Sequence, residues 1–223
     1  PDIVSVFLIA SDERGHHAFA DSEFNGPWGT ALVEEFIPTF EQTLLGGVRD
    51  LNRRFVTGHS SGGWSSLWLL TEYPNTFGAC WSTSPDPIGF TAFHRTNIYE
   101  EENIFTNSKG EDRLFSWDSG GDCYWQSLSF REGVHDPDQE QEGVVDKFFN
   151  EQMRGYEAVF SPVDKSGEPL KLFDRETGEI HKEVAFAWSK YDILHRWAND
   201  HELLNTLQNR IHLWCGDKDE FGL

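Results

Sequence analysis

One short stretch constrains this chain more than any other: Gly58-His59-Ser60-Ser61-Gly62 fits the pattern G-x-S-x-G. Phe55-Val56-Thr57 before it reads as a strand, and Gly62 to Tyr73 after it reads as a helix stopped by Pro74. A serine hydroxyl is a poor nucleophile by itself. A sharp strand-to-helix turn exposes its Oγ to a base and sets backbone N–H groups beside an attacked carbonyl. Such a turn brings the chain close to itself, so small residues are expected on both sides of the serine. Gly58 and Gly62 supply them, and Ser60 is the candidate nucleophile.

The rest of the chain fits a parallel sheet around that turn. Ile3 to Ala10 is an apolar run rich in β-branched residues and predicts a buried strand. Leu32, Phe36, Phe40 and Leu44, with Val33 and Ile37 beside them, predict one face of a helix. Pro38 should kink or restart it, and Gly46-Gly47 should end it. Phe77 to Ser82 and Ile211 to Cys215 predict further strands. Strands alternating with helices mean an α/β fold, with a mostly parallel central sheet covered by helices on both faces.

The pattern breaks between about residues 85 and 187. Glu132 to Asp146 is acidic and predicts a solvated loop or short helix. Ala158 to Ile180 alternates strand-like pieces with turns at Lys165-Ser166-Gly167 and Glu176-Thr177-Gly178, which predicts hairpins. The expectation is one domain over residues 1–223, carrying an irregular, hairpin-bearing insertion at about 85–187. Leu194, Trp197, His201 and Leu204 then predict a helical stripe.

Catalytic residues behind such an elbow come in the order Ser, then Asp or Glu, then His. Asp219 stands three residues past Gly216, after the Ile211–Cys215 strand, where the acid is expected; Asp217 is its competitor, and a plain turn residue is the bland reading. All nine histidines precede Asp219. His59 should point away from Ser60, His212 lies within a strand, and His195 and His201 lie on a helix. The histidine is therefore expected beyond Leu223, and the chain as it stands is expected to be inactive.

A formal net charge of −20 repels phosphate backbones and anionic membrane surfaces, which argues against nucleic acid as a partner. No stretch reaches the ~18 apolar residues of a membrane span, so a soluble protein is expected, with its compartment open between secreted or periplasmic and cytoplasmic. Cys80, Cys123 and Cys215 show no metal spacing. Cys80 and Cys215 sit in apolar runs and predict buried thiols. His16, His17 and Asp21 lack H-x₃-H spacing, and neither a metal nor a cofactor is expected. Aromatic residues reach 14%, enough for an aromatic core with a few rings left to line a pocket.

Several segments together resemble the putative esterase family of α/β hydrolases, which includes esterase D-like and feruloyl esterase-like enzymes. They are Gly15-His16-His17-Ala18-Phe19-Ala20-Asp21-Ser22 with Asn25-Gly26-Pro27-Trp28-Gly29, then Glu34-Glu35-Phe36-Ile37-Pro38, Gly58 to Gly63, and Gly216-Asp217-Lys218-Asp219. The resemblance implies Ser60 as nucleophile, Asp219 as triad acid and the Ser61 N–H as half of an oxyanion hole. It places the second oxyanion donor before Pro1. His59, Asn25 and Trp28 are candidates for the border of the pocket, a structural loop role being the alternative for Asn25 and Trp28, and no cofactor is expected. The implied substrates are carboxylic esters with short or aromatic acyl groups, some linked to carbohydrate. Phe90, Phe93, Tyr99, Trp117, Tyr124 and Trp125 of the insertion either stack on such rings or pack the insertion onto the sheet. Acyl transfer or peptide hydrolysis on the same triad, and a non-catalytic binding module on a decayed hydrolase fold, are the competing readings.

Overall fold

The computed structural model describes residues 3–12, 15–116, 128–129 and 144–217. The elements that position the site are, in chain order, α1 (Ile37–Leu44), β1 (Phe55–Ser60), α2 (Ser61–Glu72), β2 (Ala79–Pro85), α3 (Val144–Phe160), α4 (Lys182–Trp188), α5 (Ile193–Asn199), α6 (His201–Leu207) and β3 (Ile211–Trp214). The three strands form a parallel sheet in the order β1-β2-β3. Phe55 pairs with Ala79 and His59 with Thr83; then the register shifts, and Ser60 faces Pro85. β2 is the central strand, and β3 joins it from Cys80↔Ile211 to Thr83↔Trp214.

α2 continues from β1 without a linker and packs on both β1 and β2. Trp64, Leu67, Trp68, Leu69 and Leu70 are all buried. Gly63, Ser65, Ser66 and Thr71 are buried with them, so the helix is covered on nearly every side. Its rings begin an aromatic core: Trp64 stacks on Trp68, and Phe160, Phe90, Phe93, Trp188 and Tyr191 continue it at centroid distances between 5.1 and 5.8 Å. Phe90 and Phe93 have no exposed surface, so they pack into the core and offer no face to a sugar. Trp117, Tyr124 and Trp125 lie outside the described residues.

Three expectations from hydrophobic patterning are corrected. Residues 3–10 form no strand: Ile3, Phe7 and Ile9 are exposed, and the backbone is tied by His17 N–H donating to the Ala10 carbonyl at 2.8 Å. β-branched residues favour an extended backbone, but a strand exists only through a ladder, and no ladder engages this run among the described residues. The helix around Pro38 restarts as foreseen, but its predicted apolar face is not continuous. A helical turn over Trp28–Thr30 leads into a π-helical stretch, Ala31–Phe36, before α1. The wider π turn rotates α1 out of phase with the turn at Trp28–Thr30. Leu32 is buried, whereas Phe36 and Leu44 are exposed, and the residue that α1 buries is Glu41. Gly47 N–H returns to the Glu41 carbonyl at 3.2 Å and closes the helix as expected. The stripe of Leu194, Trp197, His201 and Leu204 is likewise split, because Asp200 caps a new helix by accepting from Leu203 N–H. Ile193 and Leu207 are buried in its place.

The stretch from about 85 to 187 contains a long helix that its composition hides. α3 runs for 17 residues across a stretch where a loop or short helix and then hairpins are expected. Met153, Tyr156, Val159 and Phe160 make its buried stripe. The expected turns come after it, with bridges Val163↔Pro169 and Phe173↔Ile180 and with Gly167 and Gly178 at positive φ. Cys80 is buried, as expected, and burial pushes its thiol up to about 11. Cys215 is exposed just past β3, against expectation, because the strand ends at Trp214. Cys123 lies outside the described residues. No helix among the described residues is long and apolar enough to cross a membrane.

Candidate active site

Ser60 ends β1 and begins the turn into α2 with φ 56° and ψ −123°. A non-glycine residue held there costs of order 1–3 kcal/mol and persists only where its surroundings over-determine it. The surroundings are visible. A Cβ on Gly58 would lie 2.1 Å from the Gly62 carbonyl oxygen, so only glycine fits. Gly62 has a different reason from the expected one. A Cβ there would meet nothing within 4 Å; its backbone is what presses on Gly58. Gly63 is tight as well: a Cβ there would lie 3.0 Å from Pro85 Cα, Ser82 Oγ and the Thr83 carbonyl. Ser82 Oγ and Ser66 Oγ both donate to the Gly63 carbonyl, at 2.9 and 2.8 Å, and hold the first turn of α2 against β2.

Ser60 does not cap α2 with its side chain. The first N–H groups of a helix have no partner within the helix, and Ser61 is the first residue of this one. The arrangement leaves Oγ and the Ser61 N–H at one end of the helix, where its dipole favours negative charge.

Oγ is turned toward Asp86. It donates to Asp86 Oδ1 at 3.1 Å, while the Asp86 N–H donates to the Ser60 carbonyl at 3.2 Å. Asp86 sits just past β2 and is only 5% exposed. The register shift at His59/Ser60, Ser84 at φ 38° and the prolines at 85 and 87 bend the end of β2 over the serine. From α3, the Tyr156 hydroxyl faces the Asp86 carboxylate, and Gln152 Nε2 donates to Tyr156 Oη at 3.0 Å. Burial pushes the Asp86 carboxyl above the usual carboxylate range; the hydrogen bond from Ser60, the nearby Tyr156 hydroxyl and the charge of His59 draw it partly back. Burial and the neighbouring Asp86 charge raise Tyr156, which keeps its proton and remains a donor.

Of the other expected residues, His59 is exposed on β1 and faces Asp86 electrostatically. Asn25 is buried, and its Nδ2 donates to the Ala158 carbonyl at 3.3 Å, so its amide fastens the loop to α3. Trp28 stacks on His17 at 4.1 Å. His16 Nδ1 and His17 Nδ1 accept from the N–H groups of Ala18 and Phe19, and Asp21 accepts from Thr30 N–H at 2.9 Å. No group of three His, Cys, Asp or Glu side chains among the described residues is gathered as metal ligands are. Asp219 lies outside the described residues, and Asp217 is exposed. A surface hollow of about 590 Å³ opens at the far end of α2, between Trp68, Glu72, Tyr73 and Tyr191, and Ser60 does not line it.

Nothing in the G-x-S-x-G motif points to Asp86 or Tyr156. The available signal was Pro85-Asp86-Pro87 at the carboxyl end of the strand beside the elbow, where sheets of this kind place ligands. Tyr156 was hidden with its helix.

A family model described as Putative esterase matches residues 3–221. No curated protein matches the chain.

Proposed function

The chain belongs to the putative esterase family, and from that premise we propose that it is a serine hydrolase that cleaves carboxylic esters through an acyl-enzyme on Ser60. The observation that carries this reading is the Ser60 backbone: a serine forced into a positive φ between a parallel strand and a helix, with its side chain withheld from the helix cap. Oγ attacks the ester carbonyl, the developing oxyanion meets the Ser61 N–H, and water later releases the acyl group. The resemblance gives the Ser60 proton to a histidine held by Asp219. It also supports acyl groups that are short or aromatic, including those carried on carbohydrate.

The test is covalent labelling of the full-length protein with a fluorophosphonate probe, with peptide mapping of the label. We expect the label on Ser60 and none in Ser60→Ala; labelling that survives Ser60→Ala overturns the assignment. On a panel of p-nitrophenyl esters, kcat/KM should not climb steadily beyond acyl chains of about eight carbons. Each methylene buried in a lipase-like pocket would add up to ~0.8 kcal/mol.

A further inference from the structure

Asp86 stands at the nucleophile without a part in the triad, and its hydrogen bond to Ser60 exists only before the reaction. Oγ donates to Asp86 Oδ1 at 3.1 Å, the Asp86 N–H donates to the Ser60 carbonyl at 3.2 Å, and the bent end of β2 holds the two side by side. Asp86 is 5% exposed, and none of the ion pairs among the described residues includes it. The groups that face it are Ser60 and His59 from β1 and Tyr156 from α3. A buried carboxylate is costly unless donors surround it. Acylation removes one of those donors. As Oγ bonds to the acyl carbon, its proton passes to the base and leaves with the alcohol, whose bond to that carbon breaks. In the acyl-enzyme Oγ is an ester oxygen with lone pairs and no proton, and it faces a carboxylate oxygen across the same gap. The hydrogen bond has become a repulsive contact, and a buried acceptor is stranded.

We propose that Asp86 is a specificity-determining residue that selects acyl groups bearing a hydrogen-bond donor, a hydroxyl or an ammonium, on the carbon next to the ester carbonyl. This rests on Ser60 being the nucleophile and leaves its proton to the histidine that the resemblance supplies; it deepens that reading by naming the acyl group. A donor on that carbon stands three bonds from Oγ in the acyl-enzyme, within reach of a carboxylate that already touches Oγ in the resting site. It restores the bond that Ser60 gave up, and it does so for the whole life of the acyl-enzyme, which a donor on the departing alcohol does not. A plain acyl group leaves Asp86 facing an ester oxygen. An acyl group with a carboxylate on that carbon is rejected, because two like charges meet there and no Lys or Arg of the described residues pairs with Asp86 to offset them.

The experiment measures kcat/KM of the full-length protein for phenyl acetate, phenyl glycolate, phenyl glycinate and phenyl hydrogen malonate, read by phenol release, in the wild type, Asp86→Ala and Asp86→Asn. Each ester is expressed as a ratio to acetate and the ratios are compared between proteins, so that the intrinsic reactivity of the ester cancels. We expect the glycolate or glycinate ratio of the wild type to exceed that of Asp86→Ala at least ~10-fold, and the malonate ratio to rise in both variants. Asp86→Asn keeps the shape and an acceptor oxygen but loses the charge, so its ratios should fall between the two. The glycolate and glycinate arms separate a hydroxyl from an ammonium: the ratio that falls further in Asp86→Ala names the donor. Thermal melts establish that each variant folds, and Asp86→Asn carries the test should Asp86→Ala not fold. Glycolate and glycinate ratios that are the same in the wild type and the folded variants overturn the proposal; water or a proton then fills the place of the lost Ser60 bond. That result leaves Ser60 standing as long as the fluorophosphonate labels it, whereas a wild-type protein that takes no label on Ser60 overturns both.

Discussion

Asp86 makes the stability of the fold depend on pH. Its carboxyl is buried beside Ser60, and burial raises its proton affinity in the folded state above that in the unfolded chain. Linkage gives the sign. Below the ordinary aspartate range, near pH ~4, both states carry the proton and no penalty arises. As pH rises through the window up to the raised folded value, the unfolded chain releases its proton more easily, and stability is lost. Asp86→Asn removes that titration. It is expected to raise the melting temperature at neutral pH, with the gain shrinking as the pH is lowered toward 4. Calorimetric melts at several pH values check this, and a gain that does not shrink in acid would refute it. His94 titrates with the opposite sense: burial holds it near about 3, so its contribution is lost as pH falls below the ordinary histidine value.

At the scale of the elements, the β1–α2 junction depends on glycines for different reasons, and substitution separates them. Gly58→Ala would drive a Cβ into the Gly62 carbonyl at 2.1 Å, against backbone that cannot step aside. It should cost at least ~3 kcal/mol and abolish probe labelling. Gly62→Ala meets nothing, lies inside α2 and should be neutral or stabilising by up to ~1 kcal/mol. Urea unfolding of the two variants tests the contrast, and equal effects would mean that the close approach at Gly58 is not what shapes the turn. The same scale explains why periodicity misled around Pro38 and Asp200. A π turn in one case and a new capped helix in the other change the phase of the helix. A stripe read at a constant 3.6-residue period then crosses two faces that do not align.

For the whole molecule, residues 85–187 are joined to the rest by buried rings and braced within themselves by a buried ion pair. Glu157 on α3 is 3% exposed; it accepts from Leu172 N–H at 2.7 Å and from Arg175 at 2.7 Å, so it ties the hairpin segment to the helix that carries Tyr156. Removing one partner of a buried pair strands the other. Glu157→Ala is expected to destabilise the protein by ~3–5 kcal/mol, and Glu157→Gln by less, because its amide oxygen still accepts from Leu172. Urea unfolding reads both. Equal losses would show that the charge, and not the backbone bond, sets the effect. Because α3 backs Asp86, the two variants should also differ in labelling rate at Ser60 if the insertion supports the site. A binding module would not need that link.

What the sequence determined by itself is local. Gly58 to Gly62 specify a tight turn through sterics that depend on neighbours a few residues apart, and Pro74, Gly46-Gly47, Gly167 and Gly178 mark their stops and turns for the same reason. The parallel strands beside the elbow were legible because buried strands need continuous apolar runs. Only the tertiary structure decided the rest. Ser60 and Asp86 stand 26 residues apart, and Asp86 and Tyr156 come from distant parts of the chain. Whether they meet depends on a register shift and on how one helix seats on a strand end. Ile3 to Ala10 has every residue preference of a strand and is not one here, because pairing is a property of two segments and no single run contains it.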